Sequence, residues 1–178
     1  MGEYSKMIYE KVKVFLDADE WHYSFREEGI FEMGLKMESA ISSIRIIIIV
    51  ENDCFQVRSI LPVGVDVRDE NKLVQLLKYV TKVNYQSKIG NFMVDINDGE
   101  IAYKVHVDCE GIDDIGNEIV KKSVMCAVFM FKRYMPGLEA ILFLGDDADT
   151  AFEKCECEEK KRLMEILTLL DQRKPVSE

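Results

Sequence analysis

The chain reads as an α+β fold: a single antiparallel β-sheet, built from a meander and a hairpin, with helices packed on it and a helical tail. Three observations carry this expectation. Apolar residues alternate with period two from Trp21 to Leu61. The alternation returns around Asp98-Gly99. Helical spacing appears before, between and after these stretches, which sets the order α-ββββ-α-ββ-α.

Met7, Ile8, Val12, Phe15 and Leu16 recur at helical spacing and predict an amphipathic first helix over 4–16. Trp21, Tyr23 and Phe25 then alternate with polar residues, as do Phe31, Met33, Leu35 and Met37. Glu27-Glu28-Gly29 between them suits a three-residue loop with glycine in the left-handed position. That register sets Phe25 against Phe31, Tyr23 against Met33 and Trp21 against Leu35.

The next pair has Ile44, Ile46, Ile48 and Val50 on one face of a strand, and Phe55, Val57 and Leu61 on its neighbour. A two-residue turn at Asn52-Asp53 sets Val50 against Phe55 and Ile48 against Val57. Ile47, Ile49 and Ile60 make the second face apolar too, which implies cover by a helix or another subunit. Leu61-Pro62 ends the meander, since proline donates nothing to a ladder.

Acidic residues from Asp66 to Glu70 precede a second amphipathic helix carrying Leu73, Val74, Leu76, Leu77 and Val80 and ending near Asn84. Asp98-Gly99 is the strongest two-residue hairpin signal, pairing Ile96 with Ile101, Val94 with Tyr103 and Phe92 with Val105. A long helix is expected after Asp113, with Ile115, Ile119, Val120, Val124, Ala127, Val128 and Phe131 buried and Pro136-Gly137 breaking it. Leu138 to Leu144 reads as a further helical piece. From Ala148 to Leu170 runs a charged helix whose end carries Leu163, Ile166, Leu167 and Leu170. The expected division is a core domain over 1–145 and a charged helical tail over 146–178.

With these elements in place, the chain resembles the YbjN domain family, whose fold is like that of type III secretion chaperones. The likeness rests on Tyr23-Ser24-Phe25-Arg26-Glu27-Glu28-Gly29-Ile30-Phe31, on Leu61-Pro62 before the second helix, on Asn84 closing it, and on Gly90-Asn91-Phe92 through Asp98-Gly99-Glu100-Ile101. It covers roughly residues 4–145. The resemblance implies a sensory-transduction or stress regulator of chaperone-like, protein-binding type, commonly a homodimer, and brings no catalytic residues.

The composition narrows the function classes. Among 178 residues, 48% are hydrophobic and 31% charged, as in a soluble globular protein. A formal net charge of −10 argues against nucleic acid and anionic membrane partners, which need clustered lysine and arginine. Charges throughout residues 1–20 leave no room for a signal peptide's apolar core, and no run approaches a membrane span. Five cysteines without framework spacing read as reduced thiols, so a cytoplasmic location is expected.

No residue set spells a reaction. His106 shares a strand face with Lys104 and Asp108, the one pairing an enzyme could use, while Cys109 falls on the opposite face. Exposed strand histidines are far more often surface decoration. Asp146, Asp147 and Asp149 lack the pattern of a calcium loop and suit a helix start. Cys155-Glu156-Cys157 lacks the further ligands of a zinc site, and in a helix only Cys155 meets the apolar stripe. No glycine-rich phosphate loop occurs. No cofactor is expected.

What remains is a surface. Ile47, Ile49, Ile60, Met93 and Ala102 form an apolar centre framed by Arg45, Arg58, Asp95 and Lys104. Arg45, Ile47, Ile49, Arg58, Ile60 and Met93 are the expected partner or dimer face, unless the second helix covers it. The function expected is a non-catalytic protein-binding or regulatory module; a small-ligand sensor and an enzyme using His106 and Asp108 are the alternatives.

Overall fold

The computed structural model describes residues 4–172, without the side chains of Leu167 and of residues 169–172. The chain runs α1 (Lys6–Ala18), β1 (Tyr23–Glu27), β2 (Ile30–Lys36), β3 (Ser43–Val50), β4 (Cys54–Ile60), α2 (Glu70–Gln86), β5 (Asn91–Val94), β6 (Ile101–Asp108), α3 (Asn117–Glu139) and α4 (Ala148–Gln172). A π-helical turn, Ala140–Leu144, follows α3 directly. The strands form one antiparallel sheet in the order β1-β2-β3-β4-β6-β5. The α+β architecture is therefore as the sequence predicts.

Helices α1, α2 and α3 lie against one face of the sheet, and α4 packs on α2 and α3. Ile8, Val12, Phe15 and Leu16 of α1, Leu76, Tyr79, Val80 and Val83 of α2, and Val120, Val124, Ala127 and Phe131 of α3 share one core. The sheet contributes Phe31, Ile44, Ile46, Ile48, Phe55, Val57, Tyr103 and Val105 to it. These are the positions that period-two reading assigns to one face. Both meander registers hold: Tyr23 faces Met33, Phe25 faces Phe31, Val50 faces Phe55 and Ile48 faces Val57.

Four local expectations are corrected. Trp21 does not pair with Leu35, because α1 ends in a left-handed cap. Glu20 takes φ 56°, its N–H donates to the Asp17 carbonyl at 3.2 Å, and the Trp21 N–H donates to the Leu16 carbonyl at 2.9 Å. This is the Schellman arrangement, and it turns Trp21 back on the helix. Strand β1 starts two residues later.

The β5–β6 hairpin is not closed by a two-residue turn. Val94 faces Ile101 and Phe92 faces Tyr103, two residues from the expected register. The loop runs from Asp95 to Glu100: Asp95 Oδ1 accepts the Asn97 N–H at 2.8 Å, and the Gly99 N–H donates to the Asp95 carbonyl at 2.8 Å. Gly99, at φ 79°, lies against Val65, whose N–H donates to the Gly99 carbonyl at 3.1 Å. That docking sets the register. A slip of two leaves every side chain on its face, so Phe92, Ile101, Tyr103 and Val105 still enter the core. Only Ile96 leaves it, at 62% exposed.

Pro136-Gly137 does not end α3. Gly137 presents no side chain to the Tyr79 ring packed on it, and the Tyr79 hydroxyl donates to the Tyr134 carbonyl at 2.7 Å. Tertiary contact holds the helical path through the missing proline donor. Ile119, expected in the buried stripe, is exposed.

The last helix has two parts. Asp147 caps it, accepting the N–H groups of Asp149 and Thr150 at 2.9 Å each. Those bonds, from Thr150 first, hold the Asp147 carboxyl below its usual range. Ala148, Ala151 and Cys155 are buried, and Arg133 on α3 grips Glu156 at 2.8 Å. From Lys160 onward the described side chains are exposed, Leu163 and Ile166 among them. Leu167 and Leu170, expected on the same stripe, have side chains outside the described residues.

Candidate functional site

Strand alternation puts the odd positions of β3 and the even positions of β2, β4 and β6 on the second sheet face. Cross-strand partners lie in three rows. The first is Ile30, Ile49, Gln56 and His106; the second Glu32, Ile47, Arg58 and Lys104; the third Gly34, Arg45, Ile60, Ala102 and Met93. Apolar residues run diagonally through these rows, with a charged or polar residue beside them in each row. Ile47, Ile60 and Ala102 form a cluster of their own, with Ile30 and Ile49 packed on it.

No described helix covers this face. The buried side chains of α2 enter the opposite core with Phe92 and Tyr103, so the second helix is not the cover the sequence leaves open. Yet Ile47 is only 7% exposed and Ile60 5%. Ile30 and Ile49 pack on this cluster, and Arg45 and Arg58 are the direct cross-strand neighbours of Ile60 and Ile47, where their long stems can flank the apolar residues while the charged ends stay partly exposed. Arg58 pairs with Glu100, and Arg45 reaches Glu32 at 3.8 Å. The Arg58 Nε is buried with no hydrogen-bond partner among the described residues. Beside it a cleft of about 360 Å³ is lined by Arg58, Met93, Asp95, Ile96, Glu100 and Ala102. The structure thus brings Arg45, Ile47, Ile49, Arg58, Ile60 and Met93 onto one surface, and adds Ile30, Glu32 and Glu100, which the sequence reading did not single out. Alternation alone would have found Ile30 and Glu32.

The catalytic alternative gains little. His106 and Asp108 are exposed on the same face, and the Asp108 carboxylate accepts the Glu110 N–H at 3.0 Å. Cys109 is buried in the opposite core, where burial raises its thiol pKa. Cys54 is pushed up to about 12 by burial and by the Glu51 carboxylate it bonds. Cys155 is raised by burial and lies 3.4 Å from the Tyr79 hydroxyl. None of these three is primed as a thiolate. Among the described residues no group of three acidic, cysteine or histidine side chains is placed to hold a metal. No described helix is long and apolar enough to cross a membrane. A concavity of about 1310 Å³ is an open groove beside Trp21, Tyr23, Leu35 and Pro62, where β2 outruns β1.

Fold and surface together define an α+β sheet protein with one helix-covered face and one open face of mixed charge and apolar character. The chain belongs to the YbjN family: residues 9–140 match the family described as "Putative bacterial sensory transduction regulator". Among solved structures it is similar to the crystal structure of YbjN from E. coli, described as "a putative transcription regulator". That likeness has a TM-score of 0.52 at 9% identity, over 70% of this chain and 85% of the other, and it speaks to the fold. No curated protein sequence matches the chain.

Proposed function

We propose that this chain is a non-catalytic, chaperone-like regulator of the bacterial cytoplasm, acting as a homodimer through contact with another protein. The second sheet face is its contact surface. The carrying observation is that face itself, open and apolar along a diagonal, with a charged or polar neighbour at each step. Interfaces have this anatomy: an apolar centre within a polar rim. The unpaired Arg58 Nε adds a donor that a partner's acceptor can satisfy. The family description as a regulator supports the reading, and the free cysteines suit a reducing compartment.

The test is a comparative pull-down from the host cell, read by mass spectrometry, with wild type, Ile49→Asp and Arg58→Glu. Ile49 and Arg58 are both half-buried on the open face rather than in the helix-covered core, so both variants should keep their circular dichroism. Proteins captured by wild type and lost from both variants support the assignment. Identical capture by all three sinks it. A turnover abolished by His106→Ala would overturn the non-catalytic reading.

A further inference from the structure

The outer edges of the sheet are not treated alike. At β5, the Phe92 N–H donates to Asn84 Oδ1 at 2.8 Å and Asn84 Nδ2 donates to the Phe92 carbonyl at 2.9 Å, so a side chain from α2 occupies that edge. At β1, the register with β2 shifts between Phe25 and Glu27, and such a bulge spoils an edge for further pairing. A third stretch, among the described residues, has neither device. β2 pairs with β3 as far as Lys36, whereas β1 reaches only Met33, which leaves Gly34, Leu35 and Lys36 without a strand on their outer side. The Glu32 carbonyl accepts the Ser24 hydroxyl of β1 at 3.4 Å, and the Met37 N–H donates to the Ser42 carbonyl on the β3 side at 2.8 Å. Strand alternation therefore turns the N–H and C=O groups of Gly34 and Lys36 outward.

We propose that this stretch of β2 is a strand-addition site, filled by an extended segment of a partner protein running antiparallel to β2. The inference rests on the protein-binding reading above and names a mode of contact at the margin of the open sheet face.

Three features fit an extended main chain. The outward groups of Gly34 and Lys36 repeat at two-residue spacing, which another extended backbone matches donor to acceptor. The groove of about 1310 Å³ runs past this edge and takes its walls from both sheet faces, Glu32 and Arg45 from the open one, Met33 and Leu35 with Trp21 from the other. A strand sends its side chains to both sides by turns, so it suits such a groove. And β1 does not enter this lane, because the left-handed cap at Glu20 turns Trp21 back on α1.

The lining also sets the sequence of the segment. At Gly34 nothing among the described residues lies within 4 Å of where a first side-chain carbon would stand, and Arg45 is the cross-strand neighbour. An aromatic residue opposite Gly34 fits that space and meets the Arg45 guanidinium. Opposite Leu35 the wall is apolar, with Trp21 and Met33 beside it, and takes an aliphatic residue. Opposite Lys36, which is exposed, an acidic residue pairs with the ammonium. Along the partner the order is acidic, aliphatic, aromatic.

Panning a random dodecapeptide library displayed on phage against the full chain tests this. Selected peptides should carry the acidic, aliphatic, aromatic order. Gly34→Ala keeps the outward donor and should bind them within about threefold of wild type in calorimetric titration. Gly34→Pro removes that donor where proline breaks no bond to β3, so circular dichroism should be unchanged and affinity should fall by about tenfold or more. Ile49→Asp should bind as wild type does. In the wild type, exchange of the Gly34 and Lys36 amide hydrogens should slow by about tenfold or more when peptide is added, a readout that stands even if the proline variant does not fold. Selection of no peptide, equal binding by a folded Gly34→Pro, or unprotected Gly34 and Lys36 amides would overturn the site. Binding lost in Ile49→Asp but kept in Gly34→Pro would overturn it alone and leave the sheet-face reading in place. The sheet-face reading itself fails on the pull-down.

Discussion

The two faces of this sheet share strands and differ only in parity. On β3, Ile44, Ile46, Ile48 and Val50 enter the helix-covered core, whereas Arg45, Ile47 and Ile49 face the other way. The covered face excludes water with rings and branched chains from three helices. The open face reaches nearly the same burial at Ile47 with Ile30, Ile49 and arginine stems. Equal burial therefore conceals unequal packing. Stems give way where a helix does not, so the covered face should govern stability and the open face recognition.

The sharpest break of that comparison is a neighbouring pair. Ile48→Ala should lower unfolding free energy by about 2–5 kcal/mol, since its cavity lies in rigid surroundings. Ile47→Ala should lower it by about 1 kcal/mol, because the flanking stems collapse onto the gap. Chemical denaturation of both variants measures the difference, and equal losses would mean the two faces pack alike.

Next in size is Gly99→Val. A side chain there meets the Val65 backbone as well as the strain of positive φ, so a loss of about 3 kcal/mol is expected in the same assay. A neutral result would show that the loop docks elsewhere.

A smaller effect lies on the alkaline side. The Cys54 thiol belongs to the open-face parity and titrates at about 12, raised by burial and Glu51. Its raised value means that it favours the folded state fully below the unfolded thiol pKa, near 9. That contribution is lost as pH climbs toward 12. Melting temperatures followed from pH 8 to 12 should fall less steeply for Cys54→Ala than for wild type. Parallel curves would show that the decline belongs to the covered side, where burial raises the Tyr79 hydroxyl too.

The smallest expected change is a gain. Glu20→Gly removes a side chain from a left-handed cap and should stabilise by up to about 1 kcal/mol. A loss instead would show that the Glu20 side chain contributes to the groove it lines.

Where contacts are local, the sequence alone determined this protein. Asn52-Asp53 joins two strands of clear alternation, and the pairs Val50–Phe55 and Ile48–Val57 follow from turn length. Alternation likewise assigned Arg45, Ile47, Ile49, Arg58, Ile60 and Met93 to one face, since parity needs no knowledge of what lies opposite. Tertiary structure decided the rest. Gly99 docks on Val65, 34 residues earlier, and shifts the hairpin by two; Tyr79 packs on Gly137 and carries α3 through a proline. Which face the helices cover also lay beyond any local pattern, because Ile46 and Ile47 are the same residue type side by side. Period and turn chemistry act within a few residues, whereas docking and cover join residues that meet only when the chain has folded.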